Sequence, residues 1–155
     1  MKDLRRNPAW FLFQAEDIGR DGDPYLDRLR IVGTPLFSLY LHRIHRPDAE
    51  PDPHDHPWWF ASLILTGFYE EATWPDKRNP QACRIRTRTR GSLRVMSRRS
   101  AHRITVTHGP LWTLILTGPK RSSWGFWPDG QLVPWRDYMK APHAPEPARR
   151  LPAPS

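Results

Sequence analysis

Leu63-Ile-Leu-Thr-Gly67 recurs as Leu114-Ile-Leu-Thr-Gly118, and in both places the pentapeptide follows a segment that carries histidine. A branched apolar run closed by Thr-Gly reads as a buried strand ending in a turn. Two copies in one short chain read as equivalent strands in two halves of one barrel, because a jelly roll is built from two similar strand sets. Outward from the repeat, apolar residues recur with period two, the pattern of half-buried strands. Arg28 to Val32, Leu36 to Ile44, Ala61 to Thr66, Phe68 to Thr73, Arg84 to Arg90, His102 to Thr107 and Leu111 to Thr117 form the series. Short strands with turn residues every ~8–12 positions predict an all-β sandwich or small barrel. Asn7 to Glu16 and Trp135 to Lys140 are predicted as short helices, one at each end.

The composition agrees. At 155 residues, with 38% hydrophobic and 12% aromatic content, the chain has material for one domain with one modest core. Eighteen prolines against nine glycines interrupt it too often for long helices. Five of those prolines fall in residues 141–155, which have almost nothing to bury, so a disordered Pro/Ala-rich tail is expected behind a β-barrel domain of residues 1–140. No run approaches the ~20 apolar residues of a membrane span, and Met1-Lys-Asp-Leu-Arg-Arg lacks a signal peptide's apolar stretch. A cytoplasmic protein without a membrane partner is the expectation. The single cysteine, Cys83, excludes an internal disulfide and any zinc site built on cysteine pairs. A metal would have to be held by histidines.

In Asp52-Pro-His54-Asp55-His56-Pro57-Trp58 two histidines stand two residues apart. On an extended strand both imidazoles leave one face while Asp55 points to the other. Neutral imidazole is the commonest metal ligand, so such a pair needs one or two further groups to close a site. The alternative is a pair of exposed loop histidines beside prolines.

These residues resemble the cupin superfamily, whose first motif is Gly-x5-His-x-His-x3/4-Glu-x6-Gly. His54, His56 and Gly67 match it. Against the second motif, Gly-x5-Pro-x-Gly-x2-His-x3-Asn, Gly91 and His102 stand at the expected spacing, while Ser97, Arg99 and Val106 replace the inner Pro, Gly and Asn. The chain is also similar to small uncharacterised cupin-like proteins of bacteria and phages, through Leu-His-Arg-Ile, His-Asp-His-Pro-Trp and Trp-Gly-Phe. The resemblance implies a cupin-type jelly-roll barrel and a three-histidine site of His54, His56 and His102. The motif glutamate is missing: by spacing it would stand at Phe60 or Ala61, and Glu70 and Glu71 beyond the turn are weak substitutes. Cupins resembling thiol dioxygenases use three histidines for iron(II), which implies a divalent transition metal such as Fe(II). Three neutral ligands leave the ion its full charge and favour an anionic substrate. Loss of the glutamate can equally mean loss of the metal, leaving a ligand-binding pocket.

Other groups carry two readings each. His102 alone reads as a partly buried histidine bonded to backbone, and His42, His45 and His108 lie outside the motifs as surface or core residues. With 24 basic against 16 acidic residues the net charge is +8, and only four of the basic residues are lysines. Arg84-Ile-Arg-Thr-Arg-Thr-Arg90 aligns four guanidinium groups on one strand face, either solvated or facing an acidic partner. Most of the eight tryptophans are expected in the core, with Trp124-Gly-Phe-Trp127 as a possible barrel-mouth lid. Nucleic acid is weakly supported, since no recognition-helix, zinc-finger or RNA-binding pattern occurs. Two functions follow: an iron-dependent oxygenase on a small anionic substrate, in which a nearby arginine positions the acid group, or a non-catalytic cupin that binds a small molecule, nucleic acid or protein. No triad, phosphate loop or dinucleotide fingerprint is present.

Overall fold

Strand pairing follows the period-two pattern closely. The computed structural model describes residues 11–20 and 23–140. Phe11–Arg20 (β1), Asp23–Gly33 (β2), Ser38–Ile44 (β3), Phe60–Thr66 (β4), Phe68–Trp74 (β5) and Arg84–Thr89 (β6) come first in the chain. Leu93–Met96 (β7), Ala101–Thr107 (β8), Leu111–Thr117 (β9), Gly125–Phe126 (β10) and Val133–Pro134 (β11) follow, then a single helical turn, Trp135–Tyr138 (α1). One sheet has the order β1-β2-β3-β9-β4-β7 and a second has β6-β5-β8, while β10 pairs β11. All pairings are antiparallel. The architecture is all-β with jelly-roll topology. Among the described residues no helix is long and apolar enough to cross a membrane. The tail expected over residues 141–155 lies outside the described residues.

The two Leu-Ile-Leu-Thr-Gly segments are neighbours. β4 pairs β9 with Leu63 directly opposite Leu114, at the centre of the six-stranded sheet. Because cross-strand partners share a face, register carries that pair into a row: Leu93, Leu63, Leu114, Leu41, Leu29 and Ala15 stand side by side across all six strands. The alternate residues of the same strands face the second sheet. There Leu26, Ile44, Ile64, Tyr69, Ile104 and Leu111 form the apolar core at one end of the barrel. Toward the other end the interior turns polar, with Ser62, Glu71, Arg94, His102, Thr113 and Thr117 all buried. A buried polar half is expensive unless its groups pair with one another: Glu71, Arg94 and His102 do, whereas the Thr113 hydroxyl is buried without a partner.

The expected helix over Asn7 to Glu16 is corrected. From Phe11 onward this segment is strand, and residues 7–10 lie outside the described residues. Tertiary pairing overrides local propensity: Phe11 sits opposite Gly33, where an added Cβ would lie 2.0 Å from its ring, and packs 5.9 Å from Tyr40. Phe13 takes a left-handed φ of 46°, a step that lets Leu12 and Ala15 both meet outward-facing partners on β2. At the other end the helix is real but short. Tyr138 stacks on Phe126 at 3.9 Å and donates its hydroxyl to Asp52 at 2.9 Å, tying α1 to the barrel.

The tryptophan expectation also needs correcting. Of the seven described, Trp127 alone is buried, and Trp59 and Trp112 are openly exposed. The core is built instead from Leu, Ile, Phe and Tyr, which fit between two close sheets with fewer polar atoms to satisfy.

Candidate metal centre

His54 is placed by backbone. Its N–H donates to the His102 carbonyl and its carbonyl accepts from the His102 N–H, both at 2.9 Å. On its other side Asp55 N–H donates to Gly125 O and Trp127 N–H to Pro53 O. The segment around His54 thus bridges β8 and β10 and extends the second sheet, with one antiparallel bridge to each. A direct antiparallel pair carries its two side chains on one face, so the rings of His54 and His102 lie 4.6 Å apart. Two residues on, His56 returns to that face, its ring 5.2 Å from His54 and 5.1 Å from His102. The His56 and His102 Nε2 atoms are 2.9 Å apart. One ring nitrogen from each of the three lies within 4.8 Å of the others.

Asp55 points the other way. It is 3% exposed, accepts Gly125 N–H at 2.8 Å and binds the Lys77 ammonium at 2.6 Å. Lys77 also donates to Arg98 O at 2.7 Å and covers the face of Trp127 at 4.6 Å. This latch holds the loop between the two histidines from behind. A fully desolvated carboxylate needs such partners. Two cavities, of about 190 and 730 Å³, both border Lys77 on this outer side of the latch rather than the histidines.

Glu71 is the residue that spacing alone does not identify. It is wholly buried on β5, and its Oε1 lies 2.7 Å from His102 Nδ1. The same carboxylate is bound by Arg94 and, at 3.3 Å, by Arg88. Guanidinium groups can only donate, so Glu71 accepts from both arginines; of the two groups facing His102 Nδ1, Glu71 Oε1 at 2.7 Å is closer than Arg94 Nη1 at 3.4 Å, which favours the proton on Nδ1. The His102 Nε2 lone pair then faces the other histidines. Glu71 therefore stands behind His102, on the far nitrogen of the ring, rather than beside the three imidazoles as a substitute for the absent motif glutamate. At the motif position stands the Phe60 ring, 4.9 Å from His56 and 6.0 Å from His102, an apolar wall. A readable signal existed: Tyr69, Glu71 and Thr73 alternate on one face of β5, which puts a carboxylate among interior positions.

Burial pushes both His56 and His102 well below the ordinary imidazole range, and the Arg94 charge adds to it. Both are neutral at physiological pH, the form that binds metals. Asp48 backs His54, 3.8 Å from its Nδ1, and is itself held by Tyr25 and by Ile104 N–H at 2.7 Å.

His42, His45 and His108 stay outside the cluster. His45 pairs with Asp27 at 2.7 Å and His108 stacks on Phe68 at 4.5 Å. His42 is interior and accepts from Arg28 at 3.1 Å. Burial and then the Arg28 charge push it down to about 3. The unfolded chain therefore takes up a proton near pH 6.5 that the folded protein refuses until about pH 3, so stability is full above 6.5 and falls as pH drops through this window. Each such histidine adds up to about 1.4 kcal/mol per pH unit to that slope. Urea melts of His42→Gln between these limits should show a shallower acid loss than wild type; an unchanged slope would mean that His42 titrates normally.

The basic strand is not a uniformly solvated face. Arg86 and Arg88 stand opposite Glu71 and Tyr69, on their side of the sheet, and Arg88 turns into the interior network while Arg84 and Arg86 remain exposed.

Neither a family model nor a curated protein matches this sequence. Solved structures match the fold. Fe(II)-HppE with the alternative substrate (S)-1-HPP aligns at a TM-score of 0.54 and 12% identity, over 68% of this chain and 55% of that one. The polyketide cyclase RemF from Streptomyces resistomycificus aligns at 0.54 and 18%, over 92% and 94%. An RmlC-like cupin from Shewanella frigidimarina NCIMB 400 aligns at 0.52 and 16%, over 71% and 86%. The chain spans little more than half the length of the Fe(II) protein. Two antiparallel sheets, the second extended through the His54 segment to β10, give the chain a cupin-like fold shared with these structures.

Proposed function

We propose that the protein is a metal-dependent cupin enzyme, an iron(II) oxygenase acting on a small anionic substrate, with His54, His56 and His102 as metal ligands. The convergence of three imidazoles, one oriented by a buried carboxylate, carries this reading. The donor set fits. A separation of 2.9 Å between two Nε2 atoms is what two bonds of about 2.1 Å span at roughly a right angle. A histidine whose far nitrogen donates to a carboxylate is a usual arrangement around bound metals. When bound, a divalent metal such as Fe(II) would supply Lewis acidity and a centre for dioxygen chemistry.

The chain's own residues set the rest. Glu71 keeps the proton on His102 Nδ1, and Phe60 excludes water from one side of the cluster. Arg94 and Arg88 outnumber Glu71, which leaves the interior network positive. Arg28, over the Tyr40 ring at 5.4 Å, adds a charge felt at His56 and is the group we assign to the substrate's acid function. Its link to Glu16, at 3.5 Å, is long enough to yield to a better-placed anion.

The test is elemental analysis of tag-free protein, then oxygen uptake with Fe(II) and a panel of small carboxylates, phosphonates and thiols. Near-stoichiometric transition metal and substrate-dependent uptake are expected. Substoichiometric metal would sink the reading. Phe60 at the glutamate position favours the non-catalytic alternative, a small-molecule-binding cupin, and metal binding without oxygen uptake on any panel member would assign it.

A further inference from the structure

Residues 75–100 hold nine basic side chains and one acid, Asp76, whereas the rest of the chain balances at fifteen of each, so this stretch carries the whole net charge of +8. Three of the nine face acids: Lys77 binds Asp55, and Arg88 and Arg94 share Glu71. Arg78, Arg84, Arg86, Arg90, Arg98 and Arg99 are exposed and form no ion pair among the described residues. The fold gathers these groups at one end of the second sheet. Lys77 N–H donates to Arg99 O at 3.0 Å, Lys77 Nζ to Arg98 O at 2.7 Å and Ser100 Oγ to Pro75 O at 3.0 Å, which fastens the loop after β5 to the loop before β8. Beside Lys77 the larger cavity, about 730 Å³, is lined by Arg78, Arg98 and Arg99 and completed by Pro75, Asp76 and Ser122. β6 begins at Arg84, opposite Thr73, where the same loop ends, and Arg84 and Arg86 continue the charge about 7 Å apart along this edge strand.

We propose that this groove and the adjoining edge of β6 bind the phosphate backbone of single-stranded nucleic acid. The groove lies on the outer side of the Lys77 latch, so its occupant is independent of whether the histidines take a metal. Charge is the first ground. Cations crowded together without acids repel one another, and a polyanion laid among them removes that cost while releasing its own counterions. Side-chain type is the second. Eight of the nine basic residues are arginines, whose planar fork meets phosphate with two parallel hydrogen bonds where an ammonium offers a point charge. The walls are the third. A protein partner is held by aromatic or aliphatic anchors, and a small-molecule pocket is mostly apolar. No large apolar side chain lines this groove, and Ser122 supplies a hydroxyl of the kind that bonds phosphate or sugar. A concave site of about 730 Å³ takes nucleotides singly rather than the flank of a duplex, and basic grooves of this kind track single strands.

The experiment titrates the full chain into a fluorescein-labelled oligothymidylate of about 20 nucleotides, longer than the ~4–16 that one small binding domain covers, and reads anisotropy. At about 50 mM salt wild type should bind with a Kd of roughly 1–10 µM, and log K should fall against log salt with a slope of about −2 to −3.5, the value for about three to five phosphates. Arg98→Glu/Arg99→Glu replaces two exposed loop side chains whose carbonyls still hold Lys77, so the fold should persist by circular dichroism. Binding should weaken at least about tenfold, and the slope should become shallower by about 1.4, as two phosphate contacts are lost. Arg136→Glu/Lys140→Glu makes the same change in net charge at exposed positions of the C-terminal turn, and its affinity should stay within about twofold of wild type. No anisotropy change up to about 100 µM protein overturns the proposal. Equal losses in the two double variants would make net charge the cause and overturn it too. So would tighter binding of a duplex of the same length, or displacement of the strand by polyglutamate at equal charge, which would give the groove to an acidic protein.

Discussion

His56→Ala should reduce bound transition metal from about one per chain to a small fraction, the largest effect of any single substitution in this barrel. The imidazole lost is the one whose Nε2 meets His102 Nε2 at 2.9 Å, so the variant removes a ligand and the pairing that fixes the angle between two ligands. His54 and His102, the pair that remains, offer an ion two bonds in place of three, so affinity and selectivity both fall. Glu70→Gln is the matched control. Glu70 adjoins Glu71 in sequence but points to the opposite face of β5, so its metal content should equal wild type. Inductively coupled plasma measurement on dialysed samples decides it, and equal content in His56→Ala and wild type would remove the ion from this site. Asp55 is the wrong control despite facing away, because it closes the Lys77 and Gly125 latch.

Glu71→Gln should cost about 3–5 kcal/mol of folding stability, since it leaves two guanidinium groups in the interior without their counter-charge. Arg94 has a side chain 6% exposed and Arg88 one 19% exposed, so water replaces the lost partner for neither in full. At about 4 °C per kcal/mol for a chain of this size, Tm should fall by some 12–20 °C. Metal affinity should drop about 10–100-fold rather than vanish, because the amide oxygen can still accept from His102 Nδ1. Differential scanning fluorimetry and metal titration read the two effects separately. A stable Glu71→Gln protein would mean that the guanidinium groups find other partners; unchanged affinity would mean that Glu71 does not orient His102.

Much of the fold was legible because it rests on local periodicity. Leu111 to Thr117 was read with the bounds of β9, and Phe68 to Thr73 falls one residue short of β5. β1 was misread because its reason is not local: Phe11 settles against Gly33 and Tyr40, contacts that a window of ten residues does not contain. β7 was missed because four residues between Ser92 and Ser97, one of them Arg94, are too few to show a period. At the site, the His-x-His spacing placed Asp55 and the two imidazoles on opposite sides, since alternation is a property of any extended backbone. Alternation along β5 puts Glu71 among interior positions, but its pairing with His102 is out of reach of local pattern. The two lie 31 residues apart and meet diagonally on neighbouring strands, where Thr73 stands opposite His102 and Glu71 opposite Ile104. No spacing rule says which strands become neighbours.

The backbone pair between His54 and His102 has a consequence for the order of assembly. Its two halves are separated by the whole of β4 to β7, and β9, which must enter between β3 and β4, comes after both. A ribosome that has released residue 110 has therefore delivered every proposed ligand but not the strand that joins the two halves of the large sheet, nor the Gly125 to Trp127 segment that braces His54 from outside. Closing such distant contacts late is the slow part of building a β barrel. The cluster is thus a terminal event of folding, and an ion captured there meets a chain whose selection among competing metals is made by the finished geometry rather than by whichever histidine emerges first.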